Sequence, residues 1–111
     1  MTDPNADPII RRLREQISDN DRLIVEAINR RLALVARLKA YKESRGVEFV
    51  DPAREEWILR FLSRANRGPL SSDGLREIYT ELFDLTKREV ARQAAGPAPP
   101  AASRRSSTDT P

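Results

Sequence analysis

Apolar residues recur at helical spacing in three blocks, and no stretch alternates in the two-residue rhythm of a strand. Ile10, Leu13, Ile17, Ile24, Ile28, Val35 and Leu38 form the first stripe, and neither Pro nor Gly interrupts the chain from Ile9 to Ser44. This predicts one long helix, about 50 Å at about 1.5 Å per residue. Arg45-Gly46 ends it, with Gly46 as a left-handed cap. Val47 to Val50 read as a short extended loop. Asp51-Pro52 then opens a second helix, with Asp as N-cap and Pro at the first helical position. It is expected to reach about Ala65 and to bury Ile58, Phe61 and Leu62. Asn66-Arg67-Gly68-Pro69 is a turn. A third helix starts near Ser71 or Ser72 with Asp73 in its first turn, and ends before Gly96. Its stripe is Leu75, Ile78, Leu82 and Leu85, flanked by Tyr79, Phe83, Thr86 and Val90.

The fold class expected is all-α: three helices, long, short and medium. So long a helix cannot be covered by the remainder of a 111-residue chain, and a second copy is the simplest partner. The expected form is an intertwined antiparallel homodimer. Residues 1–8 read as a flexible lead-in, 9–93 as the helical domain and 94–111 as a disordered Pro/Ala/Ser-rich tail with nothing to bury.

Composition narrows the chemistry. The chain is 39% hydrophobic, 5% aromatic and 33% charged, which suits long amphipathic helices. It has no Cys and no His, which removes disulfides, thiolate nucleophiles, the usual zinc sites and every His-based triad. No metal and no cofactor are expected. The net charge of +3 comes from 20 basic residues set among 17 acidic ones, and Arg104 and Arg105 of the tail supply most of it. No nucleic-acid partner is expected from so small an excess. No apolar run approaches the ~20 residues of a membrane span, and the start MTDPNADP is acidic, unlike a secretion signal. A cytoplasmic protein is expected.

The informative residues are charges placed where the stripe calls for apolar groups. Arg31 interrupts the long helix between Ile28 and Val35, and Lys42 follows 11 residues later. Eleven residues turn the helix about 20° beyond three full turns, so both project from one face, about 16 Å apart along the axis. Two long cationic side chains so placed leave room for one small anion. Arg14 is 17 residues before Arg31, about 25 Å away and rotated by roughly 100°. It cannot reach a ligand held at Arg31 on its own helix, although an antiparallel partner helix could carry it to the other subunit's site. Taken alone, Arg14 is an ordinary solvated arginine. Asp51, Arg54 and Glu55 share a face of the second helix, where an N-cap, a dipole-favoured acid and a surface ion pair are the ordinary readings. Glu56 reads as a solvated first-turn acid. Thr86 is a polar interruption on the third helix that packing commonly tolerates. Trp57 and Tyr41 read as packing.

Together these interruptions resemble the AroQ class of chorismate mutases. The pieces are LREQI at 13–17, Asp21, NRRLALVARLKAYK at 29–42 and VDPAREE at 50–56, with LREIYTELFDLTKREV at 75–90 continuing the likeness less tightly. The resemblance covers about residues 10–90. It implies that Arg14 is given by the neighbouring subunit and that Arg31 binds a substrate carboxylate within the subunit. It implies that Lys42 bonds a carboxylate and the ether oxygen of the breaking C–O bond. Asp51 and Glu55 would hold the ring hydroxyl, Asp51 through main chain near the loop, with Arg54 assisting at the edge. Thr86 stands where the family commonly has Ser. Val90 stands where the family usually has Gln or Glu, a departure that bears on the ether-oxygen contact.

The implied reaction, chorismate to prephenate, is an intramolecular rearrangement needing no covalent catalyst, metal or redox step. Positioning and preorganised electrostatics suffice, and arginine forks suit the two carboxylates. Two rival readings stand beside it. The same fold in relatives acts on isochorismate as a pyruvate lyase or on 4-amino-4-deoxychorismate as a mutase. A non-enzymatic basic helical binding module is the other, though Arg31 on the apolar stripe argues against an adaptor, and a nucleic-acid helix should cluster its basic residues outward.

Overall fold

The computed structural model describes residue 3 and residues 6–95. The tail from 96 to 111 and part of the lead-in lie outside the described residues. Three α-helices follow one another: α1 is Pro8–Ser44, α2 is Pro52–Ala65 and α3 is Ser72–Ala94. No strand occurs among the described residues. The order long, short, medium is the one the apolar pattern predicts.

The helix ends follow from local chemistry. The Asp7 carboxylate accepts from the Ile9 amide at 2.9 Å, so α1 opens on an Asp-Pro pair just as α2 does. At the other end Gly46 has φ 70°, its amide donates to the Glu43 carbonyl at 3.2 Å, and the Val47 amide donates to the Lys42 carbonyl at 2.8 Å. These two bonds make a Schellman cap, which a left-handed Gly permits. Asp51 caps α2 by accepting from the Arg54 amide at 3.1 Å. The Asn66 carboxamide oxygen accepts from the Gly68 amide at 2.9 Å to close the turn, with Gly68 at φ 75°. Ser71 then caps α3 through the Gly74 amide at 2.9 Å.

The chain divides into two units, Met1–Leu34 and Val35–Pro111. The first is the N-terminal part of α1, and Leu32 is its one buried residue among those described. Much of the predicted stripe is exposed there: Leu13 at 53% and Ile17 at 59%. Taking the remaining half of such a side chain out of water is worth roughly 1 kcal/mol.

In the second unit α2 packs on α3, and the core is Leu59, Leu75, Phe83, Thr86 and Val90. This differs from the stripe read along α3. The flank residues Phe83, Thr86 and Val90 are buried, while Ile78 of the stripe is exposed. Two apolar lines run side by side on α3, and the flank line is the more buried. On α2 the buried residue is Leu59, while Phe61, expected inside, is exposed and stacked on Trp57 with ring centroids 5.1 Å apart. Tyr41, expected in packing, is also exposed.

Candidate active site

The Schellman cap follows directly on Lys42, two residues before the end of α1, where its own carbonyl accepts the closing amide of the cap. The last turn is thereby fixed on the loop that follows. The half-buried Lys42 ammonium lies 3.5 Å from the Phe49 carbonyl of that loop. So long a bond is weak, and it leaves the ammonium's other two protons for an anion.

The start of α2 carries Asp51, Arg54 and Glu55. One Asp51 carboxylate oxygen is engaged by the Arg54 amide as the N-cap. The Arg54 guanidinium lies 4.2 Å from the centroid of the Trp57 ring, a cation–π stack on an exposed face. Arg54 thus turns along its own helix, and Glu55 turns to α3. The Glu55 carboxylate meets the Lys87 ammonium at 3.0 Å, both side chains about one-third exposed. Glu56, read as solvated, pairs instead with Arg76 of α3 at 3.2 Å. This pair is exposed and contributes little.

Thr86 and Val90 lie one turn apart on α3, only 4% and 1% exposed. The Thr86 hydroxyl donates to the Leu82 carbonyl at 2.6 Å, the back-bonding that lets a hydroxyl sit inside a helix. Val90 also borders a groove of about 340 Å³, where Ala36, Lys39 and Ala40 of α1 meet Gln93 and Ala94 of α3. The Lys39 ammonium is held by Glu43 at 2.6 Å, so the rim pair cancels its own charge. Of the candidate residues only Val90 lines this groove.

Lys42, Asp51, Arg54, Glu55, Thr86 and Val90 all belong to the second unit, and Arg14 and Arg31 to the first. Within the second unit the helix packing brings Glu55 of α2 against the turn of α3 that bears Thr86. Arg14 and Arg31 both lie on α1, about 25 Å apart at a helix's rise per residue.

The sequence pattern of the family described as chorismate mutase type II matches residues 13–91. The chain belongs to that family. The match spans most of α1, all of α2 and nearly all of α3, so it takes in every candidate residue named above. The fold is similar to that of the solved chorismate mutase (form II) from Thermus thermophilus, with a TM-score of 0.72 at 28% identity. The superposition covers 76% of this chain and 96% of that one. A comparison with curated proteins finds no significant match.

Membership in the chorismate mutase type II family makes the chain an isomerase. Among its described residues no helix is long and apolar enough to cross a membrane. Sequence reasoning missed Lys87, which stands against Glu55 in this chorismate mutase. Its only signal was position: it directly follows Thr86, on a helix whose neighbour begins with an acid.

Proposed function

We propose that this chain rearranges chorismate to prephenate for aromatic amino acid biosynthesis, without metal or cofactor, at sites shared by two subunits of a cytoplasmic homodimer. Family membership over residues 13–91 carries the reading. The Lys42 ammonium, set by the cap of α1 beside the Phe49 carbonyl, supports it.

In the reaction the ether C–O bond breaks while a C–C bond forms within the same molecule. Negative charge grows on the ether oxygen as that bond opens. Lys42 donates to this oxygen and to a carboxylate. Arg31 clamps a carboxylate from the same subunit, and Arg14 of the other subunit binds from across the interface. Together they hold the dianion folded, so the enzyme's contribution is orientation plus a donor aimed where charge develops. Glu55 accepts from the ring hydroxyl. Asp51 supports the same region through the capped backbone of α2, Arg54 closes the edge, and Thr86 and Val90 form the wall given by α3.

The dimer is supported by the exposed apolar stripe of α1, with Leu13, Ile17 and Ile24 all about half exposed or more. Contiguous apolar surface of this kind is characteristic of an interface. An antiparallel second copy would cover it and carry Arg14 to the partner's Arg31.

The test is direct. Purified, folded protein should consume chorismate, yield prephenate as the identified product, and keep its rate in EDTA. Folded dimer that leaves chorismate untouched overturns the reading.

A further inference from the structure

Lys87 has no part in the proposed reaction, yet it is tied to Glu55, which has one. Glu55 stands in the first turn of α2, and Lys87 reaches it from α3, with ammonium and carboxylate 3.0 Å apart. The neighbouring cation on α2, Arg54, is stacked on Trp57. Glu55 is therefore a carboxylate with a built-in counter-ion, held by the same helix packing that buries Thr86 next to Lys87.

Resting on the functional reading above, we propose that Lys87 is a specificity-determining positioning residue: it selects a neutral hydroxyl over an ammonium at the ring carbon facing Glu55. A carboxylate that already holds one ammonium still has free lone pairs to accept a hydroxyl proton. An amine at the same carbon is protonated near neutral pH. It would have to enter beside the Lys87 charge, against like-charge repulsion, while Glu55 is already neutralised. Chorismate carries the hydroxyl at this carbon and 4-amino-4-deoxychorismate the amine. Both carry the same two carboxylates, so the attraction of Lys87 for the dianion cancels when the two are compared. What remains is the effect on the one group that differs, a selection made by repelling the wrong ligand.

The experiment measures kcat/KM for both compounds on the wild type, Lys87→Met, Lys87→Gln and Lys87→Arg. Two uncharged variants guard against one that fails to fold, and helix content by circular dichroism checks each. The wild type should favour chorismate. Removing the charge should move the ratio at least about tenfold toward the amine, while Lys87→Arg, which keeps the charge, should hold the ratio within about threefold. A ratio unmoved in the folded uncharged variants overturns the inference and leaves the mutase reading intact. So does an arginine variant that shifts as far as methionine, because shape rather than charge would then decide. A wild type that turns over no chorismate removes the functional reading and this inference together.

Discussion

The Thr86 hydroxyl donates its proton to the Leu82 carbonyl one turn back, 2.6 Å away, from a position only 4% exposed. To donate to a substrate carboxylate it would have to give up that bond. Its worth in binding is thus the difference between two hydrogen bonds, a small quantity. Thr86→Val keeps shape and burial, and the Leu82 carbonyl keeps its helical partner. The variant should lose about threefold to tenfold in kcat/KM, mostly through KM, and unfold within about 1 kcal/mol of wild type. A loss beyond a hundredfold would make the hydroxyl a central contact.

Lys42 should behave in the opposite way. Its contact with the Phe49 carbonyl is 3.5 Å, too long to hold much of the fold. As the proposed donor to the ether oxygen it should matter greatly to the rate. Lys42→Ala should lower kcat at least about a hundredfold, near 3 kcal/mol, and barely change the thermal midpoint. If kcat fell less than tenfold, the ether oxygen must be served by another group.

The helix ends were legible in the sequence because capping is local chemistry. Asp51-Pro52 and Gly46 each act on residues within a few positions, and the structure uses both as read, while Ser71, read only as one of two possible starts of α3, is its N-cap. Burial was less legible. Leu75, Ile78, Leu82 and Leu85 fit helical periodicity as well as Leu75, Phe83, Thr86 and Val90 do. Only burial in the fold separates the two sets: Phe83, Thr86 and Val90 are buried and Ile78 is exposed. Phe61 was placed inside on periodicity alone, yet α2 turns Leu59 inward instead. The Glu55–Lys87 pair was not legible, because its members are 32 positions apart and other charges adjoin both. The Asp51 cap was, since it needs no tertiary partner.

Shared sites can be tested by mixing. Arg14 and Arg31 are separated by about 25 Å along α1 and by roughly 100° around it. If each site takes Arg14 from one subunit and Arg31 from the other, Arg14→Ala and Arg31→Ala chains are each inactive alone. Refolded together, they should regain activity, because one site of the heterodimer carries both lesions and the other neither. Sedimentation should find a dimer in wild type and mixture alike. Heterodimer formation without recovered activity counts against sharing.

Val90 stands where the family resemblance implies a Gln or Glu, and the structure sharpens the consequences of changing it. Valine there is 1% exposed and cannot donate to an ether oxygen. The adjacent Glu89 is an unpromising substitute: both the Nε and Nη2 of Arg92 donate to its carboxylate, at 3.2 and 2.7 Å. In the proposed mechanism Lys42 is then the ether oxygen's donor by itself. Two effects should separate in Val90→Gln. Placing a carboxamide where a packed valine stood should cost stability, about 1–3 kcal/mol. An amide that reaches the substrate adds a preorganised donor, worth up to about 3 kcal/mol in the transition state. The variant should therefore melt lower yet show a higher kcat/KM at a temperature where it stays folded. Glu89→Ala should change neither quantity by more than about twofold in rate or 0.5 kcal/mol in stability. A variant that melts lower without any gain in rate would mean that a carboxamide at position 90 does not reach the substrate. A large loss of activity in Glu89→Ala would transfer the second donor's role to that carboxyl group.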